Sequence, residues 1–217
     1  DTVVSVETLN TETLEERRFS NKQCRFGYRD SFFKTKEGKK YIITAVTFAL
    51  RKDGKPNVSY QDVKKKIQDS RIMIQGLSPM KMRKMVIDIR KKKFPDLKKY
   101  GTAGSFFKNP IVTERKYKTL LRKWPEMPRF RVGGEKNKYK IPLAWILDKI
   151  LEVHKVESYK VRKVKGGVGC FENQPIVIVN YGNASGSEVE NFAEKIKKEV
   201  KKRTGIKISE EVVLFGK

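Results

Sequence analysis

The chain has 217 residues, 38% of them hydrophobic and 10% aromatic, enough to bury one large core or two modest ones. Its 50 basic against 25 acidic residues give a formal charge of +25, mostly lysine spread over the whole length, a field that draws anions of any kind and names none. No apolar run approaches the roughly 20 residues of a membrane-spanning helix, and two distant cysteines with one histidine disfavour a zinc site or a disulfide framework and suit a reducing cytoplasm. With neither an initiator methionine nor a secretory leader, Asp1 reads as a start inside a longer protein.

Val3 to Glu7 reads as a strand, followed by a polar, turn-rich segment through Ser20-Asn21. Cys24 to Lys34 then packs aromatics, glycine and opposite charges together. Arg29 offers a planar fork suited to a carboxylate or phosphate, with Asp30 able to pin it; a surface ion pair at a turn is the plainer alternative. Tyr41 to Leu50, β-branched and aromatic, is the clearest strand, and the polar run Arg51 to Asn57, with Gly54 and Pro56, ends it. A helix is expected from Tyr60 to about Gln68 with Ser59 available as cap, and Tyr60 either anchors it or offers a phenol to a ligand. Ser78-Pro79 opens a further helix, in which Met82, Met85, Val86 and Ile89 form a core face and Lys91-Lys92-Lys93 suits the carboxyl end of the dipole. Phe94-Pro95 stops it, and a boundary between folding units is expected there.

Gly101 to Pro110 (Gly-Thr-Ala-Gly-Ser-Phe-Phe-Lys-Asn-Pro) strips the backbone of bulk before Ser105 and follows it with two aromatic anchors. By itself this reads first as a glycine-hinged loop leading into a strand. Thr113 is expected to cap a helix to about Lys123 with Tyr117, Leu120 and Leu121 inward, Trp124 to Pro128 to form a rigid connector, and Gly133 to Lys138 a polar turn. Ile141 to Leu147 begins another helix, with His154 in its continuation reading as structural or exposed. Lys165 to Cys170 is glycine-rich but lacks the strand and helix of a phosphate loop. Ile176 to Asn180 reads as a buried strand. Ser185 with Glu188 forms a capping box for a helix to about Arg203, and Ile206 to Phe215 reads as a final strand interrupted by Glu210-Glu211. The order of elements is mixed α+β, without repeats.

Four features in order, Gly27-Tyr28-Arg29-Asp30-Ser31, the Gly101 to Pro110 stretch, Gln174-Pro175 before a strand ending in Asn180, and terminal Glu211-Val212, resemble the UDP-N-acetylenolpyruvoylglucosamine reductases, also called UDP-N-acetylmuramate dehydrogenases. The resemblance runs over nearly the whole chain. It implies NADPH-dependent, FAD-mediated reduction of UDP-N-acetylglucosamine enolpyruvate to UDP-N-acetylmuramate in peptidoglycan synthesis, by a cytoplasmic monomer. It implies Ser105 as proton donor, with Arg29 and Glu211 polarising the substrate carboxylate and stabilising the enol-like intermediate. Tyr60, Lys93, Asn109, Gln174 and Phe130 take the positions of residues that hold the nucleotide or sugar. The implied organisation is residues 1–95 as the latter part of a flavin-binding α+β domain, 96–205 as a mixed α/β substrate-binding domain, and 206–217 as a strand returning toward the flavin. Phe130 stands where tyrosine is common, Phe171-Glu172 replaces a histidine-led pair, and the stretch between Trp145 and Gly167 is longer than usual. The portion that makes most FAD contacts is not among these residues, so weak or absent FAD binding by this chain alone is expected. A basic nucleic-acid-binding module resting on charge, and a catalytically dead UDP-sugar-binding remnant, are the alternatives.

Overall fold

A computed structural model of the chain describes residues 2–52, 56–70, 73–133, 135, 137–153 and 167–215. Gly54, Gly134, His154 and Lys165-Gly166, singled out above, lie outside the described residues. No helix among the described residues is long and apolar enough to cross a membrane. The chain is mixed helix and sheet and divides into two compact units, Asp1–Asn57 and Val58–Lys217.

The first unit is an antiparallel sheet of β1 (Val3–Asn10), β2 (Glu16–Ser20) and β3 (Tyr41–Phe48), with β1 central. The second strand was unmarked in the sequence because only Phe19 of its five residues is buried. Val6 sits opposite both Phe19 and Val46, and Val6, Phe19, Cys24 and Phe32 form the core. Ser20 caps the single-turn helix α1 (Asn21–Cys24) through a capping box. The clearest strand of the sequence behaves unexpectedly: β3 is an edge strand with no buried residue, and Ile42 and Phe48 are 56% and 55% exposed.

The second unit opens with α2 (Gln61–Asp69) and α3 (Pro79–Lys93), whose Val63, Ile67 and Met85 meet Leu77 in a small cluster. Tyr60, rather than the expected Ser59, occupies the N-cap position of α2. The Ser78 hydroxyl accepts from Lys81 N–H, capping α3 as its sequence indicates, and Met82, Met85 and Ile89 face inward while Val86 is exposed. Because α2 and α3 cluster within this unit, the compact units part at Asn57/Val58, upstream of the break expected after Pro95. The Asn173 side chain also ties the end of α3 to the later hairpin by donating to Lys92 O at 2.9 Å.

Beyond Pro110 come β4 (Ile111–Thr113), α4 (Glu114–Lys123), β5 (Phe130–Arg131), β6 (Lys138–Lys140) and α5 (Leu143–Trp145), which runs on as a π turn over Ile146–Ile150. The hairpin β7 (Val168–Phe171) and β8 (Gln174–Asn180) and the long helix α6 (Gly186–Thr204) follow. β6 lies between β4 and β5 in one sheet; β7 and β8 form another. The main core joins Phe107, Ile141, Leu143, Leu147, Val177 and Ile196. The expected final strand is reduced to one bridge at Glu210: Ile206 and Ile208 are buried, and the segment pairs around Ser209 to Glu211, where Glu210-Glu211 interrupts the apolar pattern.

At the head of α6 the Glu188 carboxylate accepts from Ser185 N–H at 2.7 Å while Ser185 Oγ accepts from Glu188 N–H at 3.3 Å. The Ser185 backbone N–H, then its hydroxyl, hold the Glu188 carboxyl below its ordinary value. That stabilisation is present above the ordinary carboxylate value and lost as pH falls through the lowered folded one. Ser185→Ala is expected to cost about 1 kcal/mol at neutral pH, with a smaller penalty in acid, read from urea melts.

Candidate active site

Glycine and threonine shape the chain before Ser105. Gly104 adopts φ +78°, a left-handed conformation that a side chain would strain, and a Cβ there would meet open space. Thr102 fixes this turn from both directions: its hydroxyl donates to Ile178 O at 2.7 Å and accepts from Gly104 N–H at 3.1 Å. Gly101 and Asn180 exchange both backbone hydrogen bonds, at 3.0 and 2.8 Å. The glycine stretch is thus docked along β8.

From Ser105 onward the same segment is paired on two sides. Ser105 bridges to Val177, and Phe106 N–H donates to Ile176 O at 2.9 Å. On the other side Phe107 bridges to Glu210, Glu211 N–H donates to Phe106 O at 2.8 Å, and Lys108 N–H donates to Ser209 O at 2.9 Å. Phe106 and Phe107 are buried with ring centroids 5.1 Å apart, the anchors expected of them, whereas Ser105 and Glu211 remain half-buried. Lys197 on α6 steadies the returning segment by donating to Glu210 at 2.8 Å as well as to Glu194 at 2.6 Å. Ser105 and Glu211 therefore lie on adjoining segments brought together from distant parts of the sequence.

Further along, the Asn109 side-chain oxygen accepts from Leu143 N–H at 2.8 Å and caps the start of α5. Gln174 opens β8 opposite Phe171, and the Asn173 bond to Lys92 sets this end of the hairpin beside the last turn of α3. There the Asp62 carboxylate accepts from Lys93 Nζ, and that ammonium lies 5.7 Å from the centre of the Tyr60 ring. Burial pulls the Lys93 ammonium down, but the Asp62 hydrogen bond and the Tyr60 and Asp62 charges outweigh it and hold the group above its ordinary value. Phe130 is exposed on β5, opposite Lys140, whose ammonium lies 5.7 Å from its ring centre.

Arg29 belongs to the other unit. It sits in a two-residue turn closed by the Gly27 N–H to Asp30 O bond of 2.8 Å, and its φ of +54° is uncommon for a side-chain-bearing residue. Asp30 Oδ1 accepts from Ser31 N–H at 2.9 Å, and Lys34 Nζ donates to Arg29 O at 2.9 Å. Gly38 supports this corner, since a Cβ there would fall 2.0 Å from Phe32 O.

Three residues that sequence reasoning gave no role hold these arrangements: Thr102, Asn173 and Asp62. Thr102 carries a local signal, a hydroxyl two residues before a glycine N–H. The partners of Asn173 and Asp62 are remote in sequence and leave no such mark.

Buried Cys170 is pushed up to about 12 by desolvation, which keeps it a thiol.

A family profile described as the C-terminal domain of UDP-N-acetylenolpyruvoylglucosamine reductase matches residues 96–215. The chain is similar to the Flavobacterium johnsoniae UDP-N-acetylenolpyruvoylglucosamine reductase, 37% identical over 98% of this chain and 60% of that protein. The Bdellovibrio bacteriovorus protein of the same name is 35% identical over 98% of this chain and 59% of its own length; that from Bacteroides fragilis is 32% identical over 98% and 59%. The chain thus spans about 60% of the length of these relatives. With its profile match and its near end-to-end similarity, it belongs to the UDP-N-acetylenolpyruvoylglucosamine reductase family.

Proposed function

We propose that the chain carries the substrate-binding and proton-donating part of an NADPH-dependent, FAD-containing reductase. In this reading the enzyme converts UDP-N-acetylglucosamine enolpyruvate to UDP-N-acetylmuramate during peptidoglycan synthesis in the cytoplasm, as a monomer. The observation that carries the reading is the two-sided pairing of the segment after Gly104, which sets Ser105 and Glu211 on adjoining segments. Reduction of an enolpyruvyl double bond places negative charge beside the carboxylate and leaves one carbon needing a proton. Arg29 is assigned the stabilisation of that charge, a part for which a fixed guanidinium is suited. Ser105, its backbone pinned, supplies the proton from its hydroxyl, and Glu211 steadies the enol-like intermediate. Lys93 meets the diphosphate, while Tyr60, Asn109, Gln174 and Phe130 line the nucleotide and sugar. The Asn109 oxygen is engaged with Leu143, which leaves its amide N–H groups for the substrate.

The first unit, taken by itself, does not fit an enclosed flavin. Two grooves among its described residues, of about 410 and 370 Å³, carry charged side chains including Glu7, Arg17, Arg18 and Lys22. None of its described glycines adopts the left-handed φ of a tight phosphate-cradling turn. The flavin site is accordingly assigned to additional polypeptide of the kind the longer relatives carry.

The test joins the amino-terminal part of the Flavobacterium johnsoniae relative to this chain and follows NADPH oxidation. Oxidation that depends on UDP-N-acetylglucosamine enolpyruvate is the expected result. Turnover equally supported by ordinary UDP-sugars, or none at all from a folded, flavin-loaded fusion, overturns the proposal. Tight stoichiometric flavin in the unaltered 217-residue chain would overturn the assignment of the flavin site.

A further inference from the structure

Lys93 is the residue on which the diphosphate reading turns, yet its ammonium is already committed. It lies in the last turn of α3, at the negative end of the helix dipole, and it donates to the Asp62 carboxylate. Both side chains are about a third exposed, 30% for Lys93 and 29% for Asp62, so the pair is open to an arriving ligand. Asp62 occupies the first turn of α2, where the helix dipole favours a negative charge whether or not Lys93 is bound to it. Tyr60, at the N-cap of the same helix, leaves 59% of its surface exposed beside the ammonium.

We propose that Asp62 is an internal competitor for the ligand's diphosphate: it neutralises Lys93 in the free protein and must release it for the anion to bind. The inference rests on the reading that Lys93 takes the diphosphate, and it adds a residue that sets affinity without being required for it. An anion is drawn to this corner by Arg90, Lys91 and Lys92 of the same turn, but at Lys93 it meets an ammonium already bound to a carboxylate. Two negative groups sharing one ammonium repel each other, so the carboxylate yields as the more highly charged diphosphate approaches. Because Asp62 and Tyr60 stand at the same end of α2, release of the ion pair also frees the Tyr60 ring from the ammonium it now overlies. The arrangement lowers affinity for every phosphate-bearing ligand while leaving the nucleoside part unaffected. It therefore acts as a filter on charge.

The experiment titrates the unaltered 217-residue chain, Asp62→Asn, Lys93→Met and the double variant with UDP, inorganic pyrophosphate and uridine at fixed ionic strength, by calorimetry. Asp62→Asn is expected to tighten UDP and pyrophosphate about fivefold, the factor matching a partly exposed ion pair near the top of its usual range. It should leave uridine unchanged. Lys93→Met should weaken both phosphate ligands, and adding Asp62→Asn to it should give no gain, because the competitor then has nothing to hold. Weaker or unchanged UDP binding by Asp62→Asn, with Lys93→Met still weak, overturns the proposal and makes Asp62 an orienting partner while the diphosphate reading stands. Binding that ignores Lys93→Met, or UDP that does not bind the unaltered chain, instead removes the reading beneath it. Asp62→Ser, compared by circular dichroism, separates a change of affinity from a damaged α2: both variants must tighten UDP while keeping the helical signal of the unaltered chain.

Discussion

In the flavin-loaded fusion, Ser105→Ala is expected to lower turnover of the enolpyruvyl nucleotide by a factor of about 10² to 10⁴, the usual contribution of a positioned proton donor. NADPH oxidation in the absence of that nucleotide should continue. The prediction is sharp because the substitution removes little besides the hydroxyl. Ser105 owes its position to its backbone bridge with Val177 and to the Phe106 bonds with Ile176 and Glu211, none of which involves its side chain. The Thr102 clamp on Gly104 is likewise untouched. Stopped-flow traces that show nucleotide turnover unchanged would remove Ser105 as the donor and turn attention to Glu211 beside it.

The second large effect concerns stability. Phe107→Ala should destabilise the second unit by about 3 to 5 kcal/mol, the range for emptying a buried aromatic site. Phe107 is 1% exposed, packs 5.1 Å from Phe106 between ring centres, and lies opposite Glu210 in the segment that carries Glu211. Its neighbours cannot close around the gap without breaking the pairing that runs along both sides of it. Ile111→Ala, at a position 41% exposed, should cost far less in the same urea melts. Equal penalties at the two positions would mean that the segment after Gly104 does not organise this core. Both predictions converge on one stretch of chain, one through a hydroxyl and the other through the ring that holds it.

What could be read in advance divides by the range of the interaction. The capping box at Ser185 and Glu188, the Ser78-Pro79 start of α3 and the apolar run of β8 are local, and the structure has all three. Strands β5 and β6, two and three residues long, carry too few side chains to show a period, and β2 buries only Phe19. The terminal segment reads as a strand from composition but pairs only where Phe107 meets Glu210. Val86 fits the helical spacing of α3 yet stays exposed, because Met82, Met85 and Ile89 already fill the contact with α2. The site divides in the same way. The glycine stretch announced a turn with an accessible serine, and the family resemblance supplied its chemistry. Its place between two other segments, and the Asp62 partner of Lys93, depend on residues far away in sequence. No periodicity encodes them.

The open side of β3 gives the lysine excess a second meaning. Residues 41–48, Tyr-Ile-Ile-Thr-Ala-Val-Thr-Phe, contain no charge, proline or glycine, and the strand presents them at an edge. Such a strand is a template for intermolecular sheet growth. The formal charge of +25 opposes that encounter, because every approaching copy carries the same sign. Salt at physiological strength confines this repulsion to about 8 Å. Ionic strength thus acts on the free chain in two directions at once: it weakens the pull on anionic ligands and lowers the barrier to colloidal self-association. The basic surface that draws anions is thus also the term that opposes self-association.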